Sequence, residues 1–203
     1  MPRSATDGFV TGLVLAAGGS QRLGRPKQLL PYRGGTLLGH VVGVARASGF
    51  DQLLVAVGGA AGDVRAGVDL AGAEVVENHA YGEGCSSSIA AALSDVDERA
   101  QTLVLMLGDQ PGVTPETVGA LVAGRGDGPL AVCRYEDGRG HPIAFGRSVF
   151  ADLAALHGDR GVWKLLDRRA ADVAEVPIAG PVPRDVDTED DYQALLVEAR
   201  HVA

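Results

Sequence analysis

Short apolar runs alternate with amphipathic stretches along most of the chain. The apolar runs are nearly continuous, which is typical of parallel strands that are buried on both faces of a sheet. Five such strands are predicted, at Phe9–Leu15, Gln52–Val57, Ala73–Val76, Thr102–Leu107 and Leu130–Arg134. Helices are predicted between them, at Leu37–Ala47, Gly62–Leu70, Ser87–Leu93 and Pro115–Ala123. This alternation predicts an α/β fold, a doubly wound, mostly parallel sheet with helices on both faces.

The last third of the chain departs from this alternation. Three residues that interrupt regular structure, Gly138, Gly140 and Pro142, predict a turn before a short strand at Ile143–Phe145. Two short helices are predicted after it, near Ser148–Leu156 and Gly161–Arg168. Such insertions on an α/β core are expected to build the second-substrate side of a cleft.

The sequence at both ends of the chain also predicts local structure. The last helix is predicted to start after Asp187, with Thr188 as its N-cap and Asp191 at the N3 position of a capping box. Residues 1–7 are predicted to be a loose tail. We therefore expect one domain over residues 8–203, since no repeat, linker or low-complexity block interrupts it.

Composition narrows the possible functions. The chain has 203 residues, enough for about one domain with a real core, and its 46% hydrophobic and 4% aromatic content predicts an aliphatic one. A net charge of −8 argues against a nucleic-acid surface. No apolar run is as long as a membrane span, and no secretory signal is evident. Cys85 and Cys133 lack metal-type spacing, so free thiols in a reducing cytoplasm are expected.

The stretch from Leu15 to Lys27 places a glycine-rich loop directly after the first predicted strand. Gly18 and Gly19 allow the backbone to turn tightly and to approach a phosphate without side-chain obstruction. Arg22 can bind phosphate oxygens through its forked guanidinium, and Lys27 supplies a point charge. The loop therefore predicts a site for a nucleoside triphosphate.

Two familiar phosphate-binding loops do not fit this stretch. Gly19 and Gly24 have the spacing of a P-loop, but Arg25 and Pro26 follow where Lys and Ser or Thr are required. The dinucleotide motif G-x-G-x-x-G also fails, because Gly18 and Gly19 are adjacent. The plain alternative is a solvated glycine turn with incidental cations.

Two further segments carry carboxylates that are candidate ligands. Asp109 comes directly after the strand that ends at Leu107, where ligands of open α/β sheets bind, and it is suited to holding Mg²⁺ beside a phosphate loop. Its alternative role is to cap the turn before Pro111. Asp185 and Asp187 lie two residues apart, so both face one side of an extended segment. Asp187 is a candidate second metal ligand, or else contributes to capping the last helix.

Polar groups also cluster at other predicted strand ends and helix starts. Asn78 follows the strand ending at Val76, and the serines from Ser86 to Ser88 open a helix whose hydroxyls and N–H groups can receive a phosphate, a ribose or a base edge. Ordinary N-capping is the alternative. His141 is expected to face the cleft as an acceptor contact or to be a plain surface histidine. Asp159 either contacts an acceptor phosphate or caps a helix.

These elements occur together in one known family. Its motifs L-A-A-G-x-S-x-R-M-G-x-x-K-x-L-L, N-x(5)-G-[MC]-x-x-S, D-Q-P, G-H-P, G-D-x-G and D-[IV]-D-T correspond in order to residues 15–30, 78–88, 109–111, 140–142, 158–161 and 185–188. Leu23 replaces the methionine of the first motif. The chain thus resembles the MobA-like nucleotidyltransferases, and most closely their molybdenum cofactor cytidylyltransferase branch.

The resemblance implies a Rossmann-like nucleotidyltransferase fold that uses Mg²⁺ and transfers CMP from CTP to molybdopterin cofactor with release of pyrophosphate. The product serves molybdenum hydroxylases, whose apoenzyme is a possible partner. It assigns catalysis to Arg22, Lys27 and Asp109, and metal binding to Asp109 and Asp187. The nucleotide-binding residues would be Leu15, Ala16, Ala17, Gly18, Gly19, Ser20, Arg22, Gly24, Lys27, Asn78, Ser86, Ser88 and Gly108. The acceptor-binding residues would be Gln110, His141 and Asp159.

Other functions stay open at this point. One is a transferase for another nucleotide or acceptor, such as GTP with molybdopterin or a sugar phosphate. Some members of the family are named as NAD(P)H-dependent reductases of a blue pigment formed in nicotine breakdown, although the dinucleotide motif is absent here. A third is a non-catalytic carrier of molybdenum cofactor, for which a triphosphate clamp of Arg22, Lys27 and Asp109 is unnecessary.

Overall fold

A seven-stranded sheet forms the centre of the computed structural model, which describes residues 8–201. The strands are β1 (Phe9–Ala16), β2 (Pro31–Tyr32), β3 (Gly35–Thr36), β4 (Gln52–Val57), β5 (Glu74–Glu77), β6 (Ala100–Leu107), β7 (Leu130–Tyr135), β8 (Gly138–Gly146) and β9 (Val173–Pro177). The sheet order is β5-β4-β1-β6-β8-β7-β9, while β2 and β3 pair as a separate two-stranded ribbon. Within the part of the chain described, β8 is the only strand of the large sheet that runs antiparallel to its neighbours.

Helices connect these strands. They are α1 (Leu37–Ala47), α2 (Ala61–Gly67), α3 (Cys85–Leu93), α4 (Pro115–Arg125), α5 (Phe150–Ala154), α6 (Gly161–Arg168) and α7 (Glu189–His201). Short 3-10 helices lie at Lys27–Leu29, Tyr81–Glu83, Arg147–Val149 and Ala170–Asp172. None of the helices within residues 8–201 combines the length and the apolar character that a membrane crossing requires.

Local chemistry explains where the helices begin. The Thr36 side chain accepts a hydrogen bond from the backbone of Gly39 at the start of α1, and Thr114 does the same for Thr117 at the start of α4, where Pro115 is the first helical residue. Thr188 and Asp191 form the predicted capping box: the Thr188 hydroxyl accepts from the Asp191 backbone at 3.2 Å, and the Asp191 carboxylate accepts from the Thr188 backbone at 2.8 Å. These caps satisfy N–H groups that a helix start otherwise leaves unpaired.

Apolar cores cover both faces of the sheet. On one face, alternate residues of β1 such as Val10 and Val14 pack with α1, α2 and α4. On the other, Leu13 packs with residues of α3, α5 and α6. A third cluster joins α7 to the ribbon around Val186. The predicted doubly wound α/β architecture, with a mostly parallel sheet covered on both faces, is therefore confirmed.

The predicted turn at Gly138, Gly140 and Pro142 is wrong, because all three lie within β8. The chain reverses earlier, at Glu136 and Asp137, through a two-residue hairpin loop. The register with β7 then shifts, so that His141 and Pro142 lie opposite no residue of β7. Proline is tolerated there because a bulge needs no ladder hydrogen bond from its missing N–H. His141 accordingly stands on a strand, not in a turn.

Other boundaries differ little from the predictions. The ranges of α1 and α6 agree with them, while the predicted helix at Ser148–Leu156 is a 3-10 turn followed by the short α5. Strand β9 and the β2–β3 ribbon were not predicted. The first is a short edge strand that carries Glu175 and ends in a proline, features by which edge strands avoid further pairing. The predicted tail, residues 1–7, lies outside the described residues.

The order of the sheet indicates where a ligand would bind. From β1 the chain proceeds outward to β4 and β5, and then returns to place β6 on the other side of β1. Loops that follow β1 and β6 therefore diverge and leave a crevice at the carboxyl ends of these two strands. Gly108 closes its base, where its backbone donates to Leu15 at 2.8 Å and an added Cβ would come within 2.9 Å of the Leu15 carbonyl oxygen.

Candidate active site

A cavity of about 870 Å³ opens at this crevice. Most of the residues predicted to bind ligands line it: Leu15, Ala16, Ala17, Gly18, Gly19, Ser20, Arg22, Lys27, Ser88, Gly108, Asp109, Gln110, His141, Asp159 and Asp187. Gly24, Asn78 and Ser86 are not part of its lining. The fold thus gathers segments that are up to about 170 residues apart in sequence around one cavity.

The loop after β1 is fixed by its own hydrogen bonds. The Ser20 side chain accepts from the Lys27 backbone at 3.0 Å, and the Ser20 carbonyl accepts from Leu23 and Gly24, both at 3.1 Å. The buried Gln28 amide donates to the carbonyls of Ala16 at 2.7 Å and Gly18 at 3.0 Å. The loop therefore holds its shape while Gly18 and Gly19 leave its inner surface open.

Two carboxylates converge on the ammonium group of Lys27. Its Nζ donates to Asp109 and, at 2.8 Å, to Asp187. Arg22 donates to the other oxygen of Asp187 at 2.6 Å from a much more exposed position. Burial lowers the pKa of Lys27, but its ion pairs with Asp109 and Asp187 outweigh burial and raise the pKa overall. The hydrogen bond from Lys27 is the main reason that the pKa of Asp187 is lowered. Both shifts favour the charged forms of Lys27 and Asp187.

The same two carboxylates suit a divalent cation. Asp109 and Asp187 already direct oxygens at one cation, the Lys27 ammonium, although they are 78 positions apart in sequence. Over residues 8–201, no group of three or more His, Cys, Asp or Glu side chains forms a complete metal cage. Mg²⁺ does not need one, since it binds through one or two carboxylates and takes its remaining ligands from water and substrate phosphates. The donor set fits a metal that a nucleotide helps to hold.

Asp187 is carried by a segment without regular structure, residues 179–188, which we call the strap. The backbone of Val186 donates to the Asp109 carbonyl at 3.2 Å, and its side chain is fully buried. Because side chains alternate along an extended segment, the inward-facing Val186 leaves Asp185 and Asp187 to line the cavity. Capping of α7 is done by Thr188 and Asp191, whereas the side chain of Asp187 contacts the two cations.

The start of α3 forms another part of the cavity wall. The Asn78 amide, 3% exposed, donates to Ser87 at 2.8 Å and to Ser88 at 2.9 Å, and the Ser86 hydroxyl donates to the Gly158 carbonyl at 2.6 Å. These bonds tie the end of β5, the start of α3 and the loop before α6 together. Asn78 and Ser86 therefore support the wall from behind, while Ser88 lines it.

Asp159 caps α3 from a distant part of the sequence. Its carboxylate accepts a hydrogen bond from the Cys85 backbone at 3.0 Å. Gly84 makes this approach possible: its φ of +98° is strained for other residues, and an added Cβ would lie 2.7 Å from the Asp159 carboxylate. Burial, then Asp159 and Asp109, raise the pKa of the Cys85 thiol to about 11. Cys85 is thus an uncharged thiol and a poor nucleophile.

His141 and Trp163 line a part of the cavity that differs chemically from the charged part around Lys27. Their rings meet edge to face with centroids 5.5 Å apart. Burial lowers the pKa of His141 to about 4, so the ring is neutral at pH 7. The Tyr135 hydroxyl fixes the backbone here by donating to the His141 carbonyl at 2.7 Å. This side presents uncharged rings to a ligand.

Several lining residues were missed at the sequence level. Tyr81 and Arg139 line the cavity but stand in no motif that marks them. Gln28 was also missed, although an amide between Lys27 and two leucines is a polar residue in an apolar stretch, and that is a detectable signal. Both cysteines are free, as expected.

Comparisons with known proteins agree with this architecture. A crystal structure of a Mycobacterium tuberculosis Rv0371c homologue from Mycobacterium sp. strain JC1 is 48% identical, with a TM-score of 0.90 over 98% of this chain and 99% of that one. Rv0371C from M. tuberculosis H37Rv, in a crystal structure of its complex with manganese, is 49% identical, with a TM-score of 0.84 over 93% of this chain and 98% of that one. Nicotine blue oxidoreductase of Paenarthrobacter nicotinovorans is 32% identical over 197 residues, 92% of this chain and 96% of that protein.

The sequence from residue 12 to residue 173 matches the family described as the MobA-like NTP transferase domain. This range holds most of β1, all of β6, the glycine loop and most of the cavity wall. The chain belongs to this family.

Proposed function

We propose that this protein is a Mg²⁺-dependent nucleotidyltransferase that transfers CMP from CTP to molybdopterin cofactor. In this reaction an oxygen of the acceptor phosphate attacks the α-phosphorus of CTP, the bond from that phosphorus to the bridging oxygen breaks, and pyrophosphate leaves. The product is the cytosine dinucleotide form of the cofactor, which molybdenum hydroxylases use. The observation that carries the proposal is the grouping of Arg22, Lys27, Asp109 and Asp187 beside the glycine loop.

The charged residues would act by position and electrostatics. Lys27 and Arg22 neutralise charge that develops on the phosphates during the displacement. Asp109 and Asp187 would hold the metal, which supplies Lewis-acid stabilisation of the phosphate oxygens when it is bound. No covalent enzyme intermediate is needed, because holding the two substrates in line removes much of the entropic barrier. The manganese complex of the 49% identical Rv0371C supports a divalent cation in this fold.

The loop backbone would bind the nucleotide. Residues 15–20 follow β1 around the cavity, and Gly108 and Ser88 line its base and wall. Gly24, Asn78 and Ser86, which we also predicted to bind nucleotide, would contribute through the shape of the loop and the wall. Contacts from the loop backbone would distinguish the base.

The acceptor would lie toward β8 and α6. His141 and Asp159 line that end of the cavity, and the neutral rings of His141 and Trp163 suit a flat, uncharged group. Gln110 was also predicted to contact the acceptor; it lines the cavity, but its side-chain amide donates to Pro183 and Asp185.

A redox activity is the second candidate, because a relative that is 32% identical bears the name nicotine blue oxidoreductase. The first loop does not contain the dinucleotide motif G-x-G-x-x-G. Hydride transfer would need a nicotinamide or flavin, whereas the ionised cluster around Lys27 offers phosphate and metal chemistry. The transferase is therefore the function that the geometry favours.

The test is pyrophosphate release by purified protein with Mg²⁺ and either molybdopterin cofactor or a sugar phosphate as acceptor, compared across CTP, GTP, ATP and UTP. Release with CTP alone is expected. Release with GTP instead would change the assignment of the base, and release only with a sugar phosphate as acceptor would change the acceptor. Oxidation of NAD(P)H in a parallel assay, without pyrophosphate release, would support the redox function. Cofactor binding with no turnover in either assay would support a carrier.

A further inference from the structure

Gln110 directly follows Asp109 and is nearly inaccessible, with 3% of its surface exposed. Its Nε2 donates to an Asp185 carboxylate oxygen at 2.6 Å and to the Pro183 carbonyl at 3.2 Å. Its Oε1 is buried and has no hydrogen-bond partner among the residues described. The side chain therefore contributes two donated hydrogen bonds, and both go to the strap.

Apart from the ion pairs of Asp187 with Lys27 and Arg22, the strap has few other connections near the cavity. At its upstream part, the Val182 backbone donates to the Asp137 side chain at 2.8 Å, and at its downstream part the Val186 backbone donates to the Asp109 carbonyl at 3.2 Å. Gln110 holds the two residues between these points that accept hydrogen bonds, Pro183 and Asp185. The turn that carries Asp109 thus anchors the segment that carries Asp187 through both backbone and side chain.

We propose that Gln110 is a positioning residue that sets Asp187 against Asp109 by anchoring the strap. This inference rests on the proposed metal-dependent function and deepens it. Gln110 acts through Asp185 and Pro183, and contacts neither the metal nor the acceptor. Groups that orient metal ligands typically change metal affinity or activity by about 10- to 100-fold when they are replaced.

The chemistry of the side chain makes this role specific. Both strap partners are acceptors, so residue 110 must supply two donors. Glutamate would place a carboxylate against the Asp185 carboxylate and the Pro183 carbonyl, and methionine would fill the space without donating. An unpaired oxygen on Gln110, which is unfavourable when buried, is retained because the amide nitrogen carries the contact.

The experiment uses Gln110→Met and Gln110→Glu in the full chain, with Gln101→Leu as the matched control. Gln101 is an exposed glutamine near the other end of β6, and its amide bonds only the Arg99 carbonyl among the contacts of the described chain. Hydrogen exchange of the amides of residues 182–187 and binding of Mn²⁺ alone, followed by electron paramagnetic resonance, are both measured. Neither requires turnover, so they test Gln110 even if the proposed reaction fails.

We expect Gln110→Met to raise the Mn²⁺ dissociation constant about tenfold and to accelerate exchange at residues 182–187, while the rest of the sheet keeps its protection. Gln110→Glu should raise the dissociation constant and accelerate exchange by larger factors. In the double variant Gln110→Glu with Asp185→Asn, residue 185 supplies the donor and residue 110 the acceptor. The Mn²⁺ dissociation constant and the exchange rate should both return part of the way to the wild-type values. In the transfer assay, kcat should fall while the KM of the acceptor stays unchanged.

Three results would contradict the proposal. Unchanged Mn²⁺ affinity and unchanged exchange, together with a raised KM for the acceptor, would show that Gln110 contacts the acceptor instead. If Gln110→Met behaved like Gln101→Leu in every measurement, the contact with the strap would have no functional role. If Gln110→Met did not fold, equal defects in Gln110→Glu and its Asp185→Asn double variant would contradict the proposal.

Discussion

The net pKa shifts on the two sides of the cavity are opposite, although burial acts in the same direction on the basic groups of both. One side, the charged wall, consists of Arg22, Lys27, Asp109 and Asp187, and the other, the neutral wall, consists of Cys85, His141 and Trp163. Burial lowers the pKa of Lys27 as it lowers that of His141, but Lys27 has two carboxylate partners and its pKa rises overall. His141 has no such partner in the described cavity, and its pKa falls to about 4.

The difference shows that burial by itself does not determine the charge of an active-site group. Removing a charged group from water is unfavourable unless an opposite charge and hydrogen bonds replace the water. The charged wall supplies these replacements within the protein, and a metal and phosphates can exchange with them. In the neutral wall no opposite charge among the described residues compensates for the burial of His141, so its ring stays neutral and suits the uncharged part of a substrate. In the proposed reaction, a cavity built in this way would separate phosphate chemistry from recognition of the acceptor.

Replacing Asp109 should break the charged wall most severely. Asp109→Asn retains the shape but leaves Lys27 with one carboxylate and would remove the proposed metal ligand, so we expect kcat/KM for pyrophosphate release to fall about a thousandfold. The control is Asp63→Asn, at an exposed position on α2. Full activity of Asp109→Asn with Mg²⁺ would refute the metal assignment.

Replacing Lys27 tests the same wall from the cationic side. In Lys27→Met the two carboxylates lose their shared cation and the phosphates lose a point charge, so we expect kcat to fall about a hundredfold. Lys164→Met is the matched control, because Lys164 is the only other lysine of the chain and is exposed on α6. Equal rates for the two variants would show that Lys27 does not stabilise the transition state.

The charged wall was largely predictable, whereas in the neutral wall only His141 was predicted to face the cavity. Gly18, Arg22, Lys27 and Asp109 stand in short motifs at strand ends, and the rule that ligands bind at the carboxyl ends of parallel strands brings such residues together. The roles of His141 and Cys85 depend on burial by segments distant in sequence, which no local pattern encodes. His141 was predicted in a turn because its neighbours Gly140 and Pro142 usually interrupt strands, whereas here they occupy a bulge within β8.

The architecture was similarly uneven in its predictability. Strands β1, β4 and β6 are buried on both faces, and their continuous apolar sequences made them recognisable. Edge strand β9 and the strap are stabilised by tertiary contacts rather than by their own sequence pattern. For this reason Gln110 was predicted to contact the acceptor, while its hydrogen bonds to residues 73 and 75 positions away had no signal in the sequence.

The smallest expected effect sharpens the description of the neutral wall. His141 has a usual pKa of 6.5 when unfolded and about 4 when folded. Between these values the unfolded chain binds the extra proton, so protonation favours unfolding and stability falls as the pH decreases from 6.5 toward 4. The loss from this residue at pH 5 is on the order of 2 kcal/mol. Above the unfolded pKa both states are neutral and the contribution of His141 no longer depends on pH.

The measurement is the free energy of unfolding by urea for the wild type and His141→Gln at pH 8 and pH 5. Glutamine does not titrate, so the difference between the two pH values should be about 2 kcal/mol smaller in the variant than in the wild type. Comparing the pH dependence cancels the loss of the contact with Trp163, which lowers the stability of the variant equally at both pH values. An identical pH dependence would mean that His141 titrates alike in both states. The neutral character of this wall would then come from Cys85 and Trp163 alone. Carboxylate partners would no longer explain why the pKa values of Lys27 and His141 differ in the direction of their shifts.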